Sequence, residues 1–374
     1  MQIIIKIGIV ILNIIYFFIK IFKTKNKITF ISRQSNKVNL DFKLIIDKIN
    51  NQLPNYKTIA LTKKMGKNKL AYIMHMFKQM YHIATSRIVI LDSYCIPISI
   101  LKHKKELKVV QMWHALGLMK KAGYSILDKE EGRGKTIAKL MKMHKNYDYI
   151  FASSEACKKA LAEVFNYPEK CIITMPLPRV DLLRNQEYIE SKKRKVIEKH
   201  PELATKKNIV YAPTYRKDET MLKAKIDEII SEIDYNRYNL VIKLHPVSKI
   251  EINDDRVIIA SDFGTAEMLT ISNYVIVDYS GIIYEAGILK KPLYFYAFDY
   301  ESYKTNRGFF INYEEEIPNK NYKSGKDLFN SIKQEEYDME RQDEFINKYV
   351  DLSSENCTED IVNFITKLID KETK

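Results

Sequence analysis

The sequence predicts an α/β protein of two Rossmann-like domains facing a cleft, preceded by a helix at a membrane interface. Short β-branched runs alternate with helical segments, the pattern of parallel sheets covered on both faces. That alternation occurs twice, on either side of a charged segment at Arg184–Leu203. The chain also opens on an unbroken apolar stretch with sparse lysines. Its 374 residues suit two domains, and a hydrophobic fraction of 46% allows each a full core.

Residues 1–26 are expected to form the interfacial helix. The apolar run between Lys6 and Lys20 is shorter than the ~20 residues that span a bilayer, and no small-residue cleavage site follows. On a helical wheel Gln2, Lys6, Asn13, Lys20, Thr24 and Lys27 share one side. That polar stripe is expected to face the headgroups. The competing readings are a helix buried against another domain and a tilted single span.

Residues 27–185 carry the first alternating series. The strand-like runs are "ITFIS", "YKTIALT", "RIVILDS", "LKVVQMW", "YDYIFASS" and "CIITMP". The helical ones are "NLDFKLIIDKINNQ", "NKLAYIMHMFKQMYHIA", a segment around Lys135–Lys145 and "EACKKALAEVF". In the Lys135–Lys145 segment, Lys135, Lys139, Lys142 and Lys145 fall on one helical arc, opposite Ile137, Leu140, Met141 and His144. Such a face is solvated by default, but charges of a single sign also suit an anionic surface. Arg184–Leu203 reads as a helical connector. Residues 186–374 carry the second series, with strands in "NIVYAPTY", "YNLVIKLHP", "RVIIAS", "YVIVDYS" and "PLYFYAF".

Open α/β sheets bind ligands at the carboxyl ends of their strands, and the candidate residues stand there. His114 follows "KVVQMW", beside the only tryptophan, with Lys120 and Lys121 after it. In "YAPTYR", Thr214 and then Arg216 follow a strand; such an arginine can grip a phosphate in a bidentate fashion, or simply follow a surface turn. His245 in "KLHP" precedes a proline that holds it extended. A lone histidine at a strand end is more often structural, but two of them at equivalent ends point to proton transfer or phosphate binding. In "VIVDYSGIIYEAGI", the Ser280–Gly281 turn can present N–H groups to an anion, or Ser280 can cap the helix. Asp278 and Glu285 can cap, position, or contact a ribose hydroxyl.

A net charge of +14 favours anionic partners. Nucleic acid is disfavoured, because no helix-turn-helix or aromatic RNA-binding motif is present. The four cysteines lack metal-ligand spacing, and no carboxylate cluster marks a metal site.

Together "QMWHALG", "PLPRVDLL", "VYAPTYR", "KLHP" and "SNYVIVDYSGIIYEAGILKKPLYFYAFDY" resemble the CDP-glycerol:poly(glycerophosphate) glycerophosphotransferase family, in order, from about Lys108 to Tyr303. The resemblance implies a GT-B-type pair of domains with the donor, CDP-glycerol or CDP-ribitol, held mainly by the second. It implies an acceptor that is a lipid-linked saccharide or polyol phosphate, at the cytoplasmic face of the cell membrane. It carries family roles to His114 and His245, to Arg179 and Asp181 of the Pro-Arg-x-Asp element, and to Ser280.

Two departures stand out. Ala115 and Leu116 replace a Gly-Thr pair, and Gly281 replaces a second serine. The implied reaction is attack of an acceptor hydroxyl on the β-phosphorus of the donor, with CMP leaving. His114 is expected to act as general base. His245, Arg216, the Ser280 turn and Lys121 are expected to stabilise phosphate charge. Glycerol phosphate is the expected cargo. The alternatives are a ribitolphosphotransferase and a nucleotide-sugar glycosyltransferase of GT-B type.

Overall fold

A computed structural model describes residues 2–66 and 68–370. Residue 1, at the head of the expected membrane helix, and residues 371–374, at the end of the expected second domain, lie outside the described residues. The chain forms two compact units. The first comprises Met1–Ala115, Lys121–Asp181 and Asp351–Lys374, and the second Leu116–Lys120 and Leu182–Val350. The expected second domain is therefore corrected at its far end, where the chain returns to the first unit. The reason is packing. Helix Cys357–Asp370 buries Ile361, Val362 and Ile365 and lies against helix Leu40–Gln52.

The first unit holds six parallel strands: β1 (Lys27–Ser32), β2 (Lys57–Thr62), β3 (Ile88–Leu91), β4 (Lys108–Gln111), β5 (Tyr149–Ala152) and β6 (Ile172–Thr174). Their order is β2-β1-β3-β4-β5-β6. The second holds β7 (Lys207–Tyr211), β8 (Tyr238–Ile242), β9 (Val257–Ile258), β10 (Tyr274–Val277) and β11 (Leu293–Phe295), ordered β11-β10-β7-β8-β9. Strands β1, β3, β8 and β10 are buried along their whole length. Burial on both faces is why β3 and β10 read as unbroken apolar runs. Strand order reverses between β1 and β3 in one sheet and between β7 and β10 in the other, which makes those two places the switch points where ligands bind.

Two expected helices differ. The lysine-bearing helix spans only Lys135–Leu140. Beyond it Lys142, His144 and Asn146 take positive φ of 46°, 58° and 68°. The turn is drawn inward because His144 is buried among the rings of Tyr94, Tyr147 and Phe165. The four lysines remain exposed but share no helical arc, and His144 belongs to the core.

The N-terminal helix spans Gln2–Ile19, 18 residues with a mean hydropathy of 2.3. Its expected orientation is corrected. Asn13 Nδ2 donates to the Ile100 carbonyl at 3.1 Å, its Oδ1 accepts from Lys102 N–H, and buried Tyr16 bonds His103. Lys27 is no part of the stripe, since it opens β1 and is buried. The middle of the polar stripe therefore docks on the protein. The outward face is apolar, with Ile3, Ile7, Val10, Ile14, Phe17 and Phe18 exposed.

Candidate active site

In the first unit the site is built at the ends of β1, β3 and β4. Trp113 has a φ of 61°, a left-handed conformation that costs a bulky residue energy and recurs at functional loops. Its N–H is held by Gln111 Oε1 at 2.9 Å, and its ring packs edge-on to Phe165. This turn sets His114 beside β3, where Nδ1 lies 2.8 Å from the Asp92 carbonyl. A carbonyl can only accept, so Nδ1 carries the proton and Nε2 keeps its lone pair. The Gln34 amide stands 3.5 Å from that Nε2. Burial lowers the His114 pKa and outweighs the opposing pull of the Asp92 carbonyl and carboxylate. The ring is thus neutral at neutral pH, with its unprotonated Nε2 able to take a proton.

Arg179 acts from behind this loop. Its backbone N–H and guanidinium grip Asp41, whose side chain is 4% exposed, and Nη2 donates to the His114 carbonyl at 3.3 Å. Asp181 has a different task. It accepts from the N–H groups of Cys357 and Thr358 at 2.7 and 2.9 Å, capping the C-terminal helix. Lys121 is partly exposed in the first unit.

In the second unit the ends of β7 and β10 are tied together across the switch point. Fully buried Asp278 accepts from Thr214 N–H at 3.0 Å, Thr214 Oγ1 at 2.7 Å and Arg216 Nη1 at 2.6 Å. Burial alone would raise the pKa of Asp278. The charge of Arg216 and the hydrogen bonds of Thr214 and Arg216 outweigh it and hold the carboxyl below its ordinary value. Lys120 adds to the same effect and bridges Phe309. Arg216 also gives Nε and Nη2 to Asp299 at 2.9 and 2.8 Å, over the rings of Tyr279, Phe298 and Tyr303. Only 10% of its side chain is exposed. The bidentate fork expected to grip phosphate is occupied by carboxylates, so the geometry makes Arg216 a brace for the loop.

His245 is exposed beyond β8, beside the Tyr215 ring. Its Nδ1 accepts from Val247 N–H at 3.3 Å, which leaves Nε2 as the ring's donor nitrogen. The two imidazoles therefore differ in tautomer, with an acceptor nitrogen at His114 and a donor at His245. Gly281, not Ser280, caps helix Ile282–Ile288, and a Cβ at Gly281 would meet nothing within 4 Å. Glu285 is buried inside that helix. Gly117 (φ 61°) lets the chain pass the Tyr284 ring, since a Cβ there would lie 2.2 Å from it.

Asp41, Asp92 and Asp299 escaped the sequence reading. Asp92 ends "VILD" at a strand's carboxyl end, a signal that could have found it. Asp299 stands in the family-like stretch that ends "YFYAFDY", whereas Asp41 had no signal, because its partner lies 138 residues away.

Comparison with known proteins places the whole chain. The sequence model of the CDP-glycerol:poly(glycerophosphate) glycerophosphotransferase family matches residues 14–367. A teichoic acid ribitol-phosphate primase of Bacillus spizizenii is 30% identical over 92% of both chains. A teichoic acid glycerol-phosphate primase of Bacillus subtilis is 28% identical over 79% of this chain and 77% of its own. Among solved structures, the wall teichoic acid polymerase TagF covers 95% of this chain and 91% of its own, with a TM-score of 0.74 at 22% identity. That likeness concerns the fold.

Proposed function

We propose, from the premise that the chain belongs to the CDP-glycerol:poly(glycerophosphate) glycerophosphotransferase family, that it transfers one polyol phosphate from a CDP-polyol to a hydroxyl of a lipid-linked acceptor. The family carries the reaction class, and the tautomer of His114 carries the mechanism. His114 Nε2 takes the proton of the attacking hydroxyl as its oxygen bonds to the β-phosphorus. The bond from that phosphorus to the bridging oxygen breaks, and CMP leaves with the electron pair. Negative charge on the phosphate oxygens is met by the Nε2–H of His245 and the hydroxyl of Ser280. Thr214, Asp278 and Arg216 fix the loop that follows β7, Glu285 packs the helix behind the Ser280–Gly281 turn, and Arg179 positions His114. Lys121 and Lys120 add positive charge.

Between the polyols, the motifs led to glycerol. The likeness spanning 92% of both chains is to a ribitol-phosphate primase, which supports ribitol and a priming role. The exposed apolar face of the N-terminal helix supports attachment to the cytoplasmic face of the membrane, where a lipid-linked acceptor is reached.

The test is incubation with CDP-ribitol and CDP-glycerol in turn, with a lipid-linked acceptor in vesicles, scoring released CMP. Acceptor-dependent CMP release, faster from CDP-ribitol, is expected. A chain inert toward both donors would overturn the reading.

A further inference from the structure

His114 forms one wall of a pocket of about 290 Å³ in the first unit. Arg33 and Gln34 enter it from the end of β1, Ser93 and Tyr94 from the end of β3, and Arg133 from the loop before helix Lys135–Leu140. The pocket thus occupies the switch point of the first sheet, where the strand order reverses.

Two guanidinium groups converge there. The Cζ atoms of Arg33 and Arg133 lie 5.5 and 5.4 Å from the centroid of the Tyr94 ring. Arg33 Nη1 donates to the Tyr94 carbonyl at 3.1 Å, while its Nε is buried and has no hydrogen-bond partner among the described residues. Buried donors are nearly always satisfied, so one left over beside a cavity points to a ligand. The contrast with the other arginines is informative. Arg179 gives its fork to Asp41 and Arg216 gives its fork to Asp299. Neither Arg33 nor Arg133 has a carboxylate ion pair among the described residues. Glu131 also lines the pocket, so two positive charges face one negative.

We propose that this pocket binds a phosphate group of the acceptor, held by Arg33 and Arg133, so that the neighbouring hydroxyl meets His114 Nε2. The proposal rests on the transferase reading above and adds which residues hold the acceptor. A phosphate ester offers planar guanidinium groups the paired oxygens they bind best. The ribitol-phosphate and glycerol-phosphate polymerases similar to this chain are named for chains of such esters. The same chemistry is present in the diphosphate of the donor, and the experiment separates the two sources.

Steady-state transfer is measured for wild type, Arg33→Gln and Arg133→Gln, varying acceptor and CDP-polyol separately. Glycerol 3-phosphate is titrated into each full-length protein by calorimetry. Each substitution should raise the acceptor KM by about tenfold or more, the loss expected for one charge-assisted hydrogen bond. The KM for CDP-polyol should stay within about twofold, and glycerol 3-phosphate should bind more weakly. Lys129→Gln removes an exposed charge outside the pocket and should move neither value.

Arg133 makes no side-chain hydrogen bond among the described residues, so its substitution keeps the test clean if Arg33→Gln perturbs folding. An unchanged acceptor KM in Arg133→Gln overturns the proposal, and so does a shift confined to CDP-polyol. Should wild type transfer nothing, the transferase reading fails, and the glycerol 3-phosphate titration still decides whether the pocket takes phosphate.

Discussion

A single proton decides how His114 can act. With Nδ1 tied to the Asp92 carbonyl, only Nε2 can accept, and burial keeps the ring neutral by lowering its pKa. His114→Ala should therefore cut turnover by roughly 100-fold or more, the effect of losing a general base, with CDP-polyol affinity nearly intact by calorimetry. The sign of the pH effect follows from the lowered pKa. Activity should be flat near neutrality and fall on the acid side, with the midpoint below the ordinary histidine value of about 6.5. An acid limb centred above that value would exclude His114 as its source. Gly281 offers the converse test. Since a Cβ there meets nothing, Gly281→Ser should fold normally and lower the KM for the CDP-polyol if that turn faces the donor phosphate. An unchanged donor KM would remove the turn from the site.

Each functional side chain depends on where a strand ends and what holds the next turn. Asp181 shows this, for a residue of a family motif serves a helix far along the chain. Asp181→Ala would leave the N–H groups of Cys357 and Thr358 without their acceptor, at a cost near the ~1 kcal/mol typical of a lost cap. Thermal unfolding should register this as a lowered Tm, while His114-dependent chemistry continues. Helix Lys135–Leu140 teaches the opposite lesson. A periodic lysine pattern promised a longer helix, but burying His144 against three rings outweighed helix propensity.

The molecule as a whole should respond to acid through its buried and half-buried histidines. Burial, aided by nearby lysines or arginines, lowers His82 and His103 to about 4 and His144 to about 3. Unfolded, each would bind a proton near pH 6.5. The unfolded state therefore holds more protons below that pH, and stability should fall as pH drops from about 6.5 toward 4. Urea midpoints across that window check it, and a flat profile would contradict it. The proposed membrane attachment would likewise be collective. The exposed lysines at 135, 139 and 142 share a unit with the apolar outward face of helix Gln2–Ile19. Near an anionic leaflet each lysine contributes ~1 kcal/mol. Reversing the three to Glu should weaken vesicle binding and flatten its salt dependence, while deletion of residues 1–26 should release the protein without detergent. Vesicle binding indifferent to the reversal would leave attachment to the helix alone.

The alternating strands, the apolar N-terminal helix and the strand-end positions of His114, Thr214, His245 and Ser280 were all legible in the chain. They depend on local periodicity and on residues adjacent to a strand's end. Strand order, the proton position on His114, the capture of Arg216 by Asp299 and the inward turn of Asn13 were not. Those follow from hydrogen bonds between groups far apart in sequence, as when Asn13 meets Ile100 across 87 residues and Arg179 meets Asp41 across 138. A sequence pattern fixes which face of an element is apolar, but only packing fixes which polar group satisfies another.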